Sequence, residues 1–325
     1  MDKKEISLVV GSIYSDLDEL LKLLNHLESN IDYLTEIICV ISGVDTDVKI
    51  KKLSILNKIF KKKIEIVSLK EIVMPGEARN IGILKSKCEF ICFLDSHPLP
   101  DKNWLKNSLR TLEGKNLRGV FGRCKYVATN EFEKCFISAT FGNYPSHTVP
   151  GTLIEKSLLN EIGYFIPNCR SGEDAEWLNR AKLFHPQIKQ KKVIPLLYEG
   201  LKGKNIFMLY KKWYTYYKLT YLNAAFHIQR IFYISFLIIF LLSTAYGWND
   251  NVANWDKNSF FYAPHISKIV ILIIISFYLG YRLIILPRKK EVNIFKFNLI
   301  QFFKFTFISI TLDFIKLFAF INHGR

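Results

Sequence analysis

Three short stretches of this chain carry residues able to do polar chemistry together. The run Phe90-Ile91-Cys92-Phe93-Leu94 ends on Asp95-Ser96-His97, with Pro98 and Pro100 directly behind it. Five apolar residues in a row predict a strand buried on both faces, and the prolines prevent its continuation. In an open α/β sheet ligands sit beyond the carboxyl ends of the strands, so a carboxylate, a hydroxyl and an imidazole arrive where a ligand is expected. Gly172-Glu173-Asp174 places two acids on a turn entering a predicted helix, Ala175 to Phe184. Acids there cap the helix, and a positioned carboxylate also takes a proton from an attacking hydroxyl. Pro75-Gly76-Glu77-Ala78-Arg79 opens another helix with a guanidinium in its first turn, which suits a phosphate.

The elements that must position these residues alternate along the chain. Ile6–Val10 predicts a first strand, broken by Gly11-Ser12. Leu17, Leu20, Leu21, Leu24 and Leu27 follow at helical spacing. Strands at Ile37–Ile41 and Ile64–Val67 flank a helix expected near Val48–Phe60, and a helix from Gly76 to Lys87 leads into the central strand. Such alternation predicts a mostly parallel sheet between helices. Arg118–Tyr126 and Val193–Tyr198 read as later strands. The segment Phe141–His147 reads as a mobile loop, with His147 incidental to any chemistry.

Charge divides the chain. Residues 1–200 hold 29 Lys or Arg against 25 Asp or Glu, whereas residues 201–325 hold 16 against 4. A basic, greasy carboxyl-terminal part suits an anionic membrane surface, and no nucleic-acid-binding signature accompanies it. The six cysteines form no C-x-x-C pair, which argues against zinc and fits a reducing compartment. The first apolar run is too short for a signal peptide, so the amino-terminal part is expected in the cytosol.

Taken in order, Ala78-Arg79-Asn80-x-Gly82-Ile83, Phe93-Leu94-Asp95-Ser96-His97, Trp104-Leu105, Pro150-Gly151-Thr152, Gly163-x-Phe165 and Gly172-Glu173-Asp174-Ala175-Glu176-Trp177 resemble the family 2 glycosyltransferases over about residues 5–200. The resemblance implies the GT-A nucleotide-sugar-binding fold. It also implies a nucleoside-diphosphate sugar donor, a divalent metal, and inversion at the anomeric carbon. It places Ser12, Asp45, Asp47, Arg79, Asp95 and Ser96 at the donor, and Gly151, Thr152 and Trp177 at the acceptor. Asp174 becomes the base, with Glu173 its competitor.

Two positions depart from the family pattern. The D-x-D metal motif stands here as Asp95-Ser96-His97. An imidazole is a good ligand for Mn²⁺ and a poor one for Mg²⁺, which prefers oxygen. Either His97 and Asp95 make a manganese-leaning site, or Asp95 reaches the ion alone and His97 contacts phosphate. Ile41 stands where many relatives carry an acid for the nucleotide base, which leaves Asp45 or Asp47 for that task.

Beyond a boundary near residue 200, the segment 201–230 carries a basic, aromatic helix with Lys211, Lys212, Trp213, Tyr214 and Tyr217, a composition selected at membrane interfaces. Leu209 and Lys212 stand in place of the glutamine and arginine of the Q-x-x-R-W motif, which disfavours a processive polymerase. Residues 231–325 are expected to form an all-α membrane region. Ile231–Trp248 is an uncharged run of 18 residues, close to a bilayer's thickness. Ile269–Leu286 is a second such run, with Arg282 snorkelling near its end, and basic flanks put both outer ends in the cytosol. Ile294–Ile321 has a polar stripe (Asn298, Gln301, Ser309, Asp313, Lys316). It either lies flat on the membrane, the favoured reading, or packs as a third span.

The expectation is a membrane-anchored, inverting glycosyltransferase at the cytosolic leaflet of the cell membrane. It would extend a lipid-linked glycan in cell-envelope polysaccharide biosynthesis. A polyprenyl-phosphate sugar synthase, or a non-catalytic membrane scaffold of the same fold, are the alternatives.

Overall fold

The computed structural model describes residues 4–46, 49, 64–199, 201, 203–219, 227–245, 256–260 and 266–322. Asp47 and the helix expected near 48–60 lie outside these residues. The chain divides into two compact units, one formed by residues 1–133 and 144–205, the other by 134–143 and 206–325.

The first unit is a mixed sheet between helices. Its strands are β1 (Ile6–Ile13), β2 (Glu36–Ser42), β3 (Ile64–Leu69), β4 (Phe90–Asp95), β5 (Pro98–Leu99), β6 (Gly119–Tyr126), β7 (Ser146–Glu155) and β8 (Leu196–Tyr198), in the order β3-β2-β1-β4-β7-β6-β8-β5. The first four are parallel, whereas β7 runs antiparallel to both β4 and β6. The central strand is buried on both faces, as its unbroken apolar run requires. Phe90, Cys92 and Leu94 join one core with Leu17, Leu20, Leu23 and Leu24 of α1 (Leu17–His26) and with Trp104 of α3 (Trp104–Gly114). Ile91 and Phe93 point into a second core with Phe121, Phe165 and Trp177. This alternation follows from the two-residue period of a strand.

Parallel pairing in register brings the strand ends that matter to one edge. Gly11 lies opposite Asp95, and Ile13 opposite Ser42. The helix α2 (Pro75–Lys85) lies against β1, with Pro75 in its first turn. A side chain at Gly82 would run into Val9, so only glycine lets the helix approach this closely.

The second unit is helical. It comprises α7 (Ile206–Leu219), α8 (His227–Ala245), and α9 (Ile266–Gly280), which runs through a π turn at Tyr281–Ile285 into α10 (Leu286–Lys289). Next comes α11 (Leu299–Ile321). Residues 134–143, from the end of α4 (Glu131–Ala139), belong to it as well. Asn298 and Gln301 close a reciprocal capping box at the start of α11.

One polar cluster of the unit lies inside it. Arg282 is buried, and its Nε donates to Asp313 Oδ2 at 2.6 Å. The hydroxyls of Tyr278 and Tyr233 donate to the two oxygens of Asp313, and Arg282 Nη2 donates to the carbonyls of Ala139 and Ser309. Two expectations are thereby corrected. Arg282 does not snorkel to an interface, because a buried carboxylate partners it. Nor do Ser309 and Asp313 face water from a helix lying flat, because they pack inward with Phe305, Ile308 and Leu312. The expected spans also lack a carrier: among the described residues no helix is long and apolar enough to cross a membrane.

Candidate active site

Arg79 is the hub of the site. It projects from the first turns of α2 and is buried, and its guanidinium forks between two elements. Nη2 donates to Asp95 Oδ1 at 2.8 Å, at the end of β4. Nη1 donates to Asp174 Oδ1 at 2.6 Å and lies 3.7 Å from Glu173 Oε1, both at the start of α6 (Glu173–Phe184). The Phe165 ring lies beneath the guanidinium, 5.3 Å from its centroid, and Nε is buried without a hydrogen-bond partner. The planar fork suits this role, since it binds two carboxylates in fixed directions where a lysine would bind as a point charge.

The surroundings hold the fork in place. Asn80 donates to the Phe165 carbonyl at 2.8 Å and accepts from the Phe165 amide at 3.0 Å, which clamps the loop before α6 onto α2. Phe165 stacks on Trp177, whose Nε1 donates to the Gly163 carbonyl. Gly172, just before α6, has φ of 86°, a left-handed conformation that glycine adopts without strain. That turn is what presents Glu173 and Asp174 to Arg79.

One guanidinium faces three carboxylates, so negative charge is in excess. Burial, and then the charge of Asp174, push Glu173 up to about 7. Burial and the charge of Asp95 also raise Asp174, while its direct bond to Arg79 pulls it back toward the ionised form. Asp174, about a third exposed, is the more open of the two acids entering α6.

The remaining candidates fall into separate places. His97 does not join the fork; its Nε2 lies 3.2 Å from Asp16 Oδ2, in the turn after β1. Asp45 is exposed and pairs with Lys49 at 2.6 Å, which holds its carboxyl below the usual range. Lys49 also lies 5.0 Å from the Tyr14 ring, so the ends of β1 and β2 offer an aromatic ring, a cation and an acid together. Ser12 and Ser96 are buried at the same edge.

Four of the expected site residues are buried. Arg79 spends both terminal nitrogens on carboxylates and is buried, so it offers no exposed face to a nucleotide. Trp177 is fully buried in the core beneath α6 and offers no surface to an acceptor. Thr152 is buried too, accepting from the Gly122 amide and donating to the Thr148 carbonyl inside the sheet. Gly151, with φ of 86°, is buried beside it and shapes β7. Sequence reading did not single out Asp16. The signal available was its position in the loop directly after a parallel strand.

Residues 9–174, just over half of the chain, match the sequence profile of Glycosyl transferase family 2. The chain belongs to that family. A protein of Rickettsia bellii described as an uncharacterized glycosyltransferase is 32% identical over 110 residues, which are 31% of this chain and 16% of that protein. The chain therefore spans less than a fifth of the curated relative it matches. Among solved structures, the mannosyltransferase PcManGT of Pyrobaculum calidifontis, in complex with GDP-Man and Mn²⁺, superimposes with a TM-score of 0.53. It is 13% identical, and the match covers 95% of this chain and 87% of that one. TarS 1–349 of S. aureus, in complex with UDP-GlcNAc, gives 0.46 at 16% identity, covering 94% and 91%. The first likeness, with the sheet described above, shows a GT-A type fold.

The edge supplies part of a donor set for a divalent ion. Among the described residues no group of three or more His, Cys, Asp or Glu side chains is placed to hold one. The edge offers Asp95 and His97, both more than a third exposed, beside a carboxylate cluster with excess negative charge. Two protein donors leave the other positions to a ligand's phosphate oxygens. An oxygen and a nitrogen donor suit Mn²⁺ better than Mg²⁺.

Proposed function

We propose that this glycosyltransferase moves a sugar, with inversion, from a nucleoside-diphosphate donor to a hydroxyl of a membrane-associated, lipid-linked glycan. The observation that carries the reading is the Arg79 fork, which sets one carboxylate at a strand end and another, Asp174, across from it. Asp174 accepts the hydroxyl proton while the acceptor oxygen bonds to the anomeric carbon. The carbon–oxygen bond to the diphosphate breaks, and its electron pair leaves with the phosphate. Asp95 and His97 would hold a divalent ion, which would supply charge neutralisation for that leaving group. Arg79 holds both carboxylates at fixed positions through the reaction, so no reorganisation is needed as charge moves. Ser12, Asp45, Lys49 and Tyr14 line the edge available to the nucleoside.

Membrane association rests on the second unit's surface. Phe303, Phe307, Phe314 and Phe318 share one face of α11 and are each more than half exposed; Ile228, Ile231, Phe232 and Phe277 are exposed on α8 and α9. Apolar patches of this extent on a basic unit suit a bilayer with anionic lipids. The membrane then carries the acceptor, with the first unit in the cytosol.

The test is turnover of a panel of UDP- and GDP-sugars by the full chain in vesicles, with Mn²⁺ or Mg²⁺. Asp174→Asn is expected to lower transfer by about 10² to 10⁴-fold with donor affinity nearly unchanged. The product's anomeric configuration, read by NMR, should be opposite to the donor's. Retained configuration, or transfer unaffected by the substitution, would overturn the reading.

A further inference from the structure

The carboxylate of Asp16 has no task in the reaction as described, yet it sits at the reactive edge. It belongs to the turn Tyr14–Asp16 after β1 and faces His97 across the edge, with Oδ2 3.2 Å from Nε2. Its other oxygen accepts from Ser15 Oγ at 3.2 Å. Among the described residues no lysine or arginine pairs with it. The His97 ring stands edge-on to Tyr198, 6.1 Å away, and Pro98 beside it pairs with Tyr198 across β5 and β8.

An imidazole bonded this way has one free nitrogen. A carboxylate opposite Nε2 requires the proton there, which leaves Nδ1 with its lone pair. Carboxylates in this arrangement fix the tautomer and ring orientation of a metal-binding histidine and raise its basicity.

We propose that Asp16 is a positioning residue for His97: it holds the imidazole as the Nε2–H tautomer, presenting Nδ1 to the divalent ion, and thereby sets the preference for Mn²⁺ over Mg²⁺. This rests on the reading that Asp95 and His97 hold that ion. The consequence is a site that selects its metal through a residue outside the metal-binding motif. Loss of such a carboxylate costs about 10 to 100-fold in metal affinity.

The experiment titrates the full chain with Mn²⁺, alone and with UDP or GDP, and records electron spin-echo modulation of the bound ion. The wild type should show a nitrogen coupling, and His97→Gln should remove it. Asp16→Asn should keep the coupling but weaken Mn²⁺ by about 10 to 100-fold, with Mg²⁺ affinity little changed. Asp16→Glu should restore part of the loss. Bound Mn²⁺ with oxygen couplings alone in the wild type would overturn this inference and leave the metal reading standing. So would Asp16→Asn with unchanged Mn²⁺ affinity. No bound Mn²⁺ in any variant, with turnover surviving chelation, would overturn both.

Discussion

The two units solve the burial of polar groups in opposite ways. In the first, apolar side chains fill both faces of the sheet, and charges gather at one edge, where Asp95 and Asp174 stay about a third exposed. In the second, Arg282 and Asp313 are buried at the centre while phenylalanines and isoleucines cover the outside. The same chemical pair, an arginine and a carboxylate, does different work in each. Arg79 holds carboxylates that other molecules can reach. Arg282 holds one that is sealed away, so its role is to tie helices together.

The comparison breaks most readily at Asp313. Asp313→Ala leaves the Arg282 guanidinium buried without its partner and should cost about 3–5 kcal/mol in unfolding free energy, read by denaturant titration in detergent. Replacing both partners, Arg282→Met with Asp313→Leu, should recover most of that loss. A buried pair that serves structure alone is replaceable by apolar groups of similar volume. If the double variant is as unstable as the single one, the pair does more than tie helices.

A smaller effect tests the apolar exterior. Phe307→Ser with Phe318→Ser removes two rings from the exposed face of α11. Unfolding should change by no more than about 0.5 kcal/mol per site, because neither ring is buried. Binding to anionic vesicles, followed by flotation, should weaken by about tenfold per ring, in line with roughly 1.5 kcal/mol for each buried side chain. Unchanged flotation would remove the bilayer as the partner of this surface.

The smallest effect concerns charge excess in the first unit. Glu173 sits at about 7 in the fold, against an ordinary value of 4.5. Between those values the folded state holds a proton that the unfolded chain has released, so stability falls as pH rises from 4.5 to 7. Glu173→Gln removes that loss. In chelator, the two proteins should have equal melting temperatures near pH 4.5, and the variant should melt higher above pH 7. Parallel curves would mean that Glu173 is not strained by its neighbours.

Local pattern was enough for much of this protein. The apolar runs at Ile6–Val10, Ile37–Ile41 and Phe90–Leu94 specify strands because a strand buried on both faces must be apolar throughout. The leucines of α1 specify its buried face because helical spacing aligns them. Prolines and glycines mark the turns, so Asp95, Arg79 and the Glu173–Asp174 pair were legible as polar residues at element ends. What residues on different elements do to one another was decided only by the tertiary structure. Arg79 is 95 residues from Asp174 in the chain, and nothing in either stretch specifies that the guanidinium faces acids instead of phosphate. His97 read as a neighbour of Asp95, yet its partner Asp16 comes from the other end of a parallel crossover. The polar stripe of α11 was visible as a stripe, but periodicity reports only that a helix has two faces. Which face is inside depends on whether a partner such as Arg282 waits to bond the buried carboxylate, and that is a property of the packed unit.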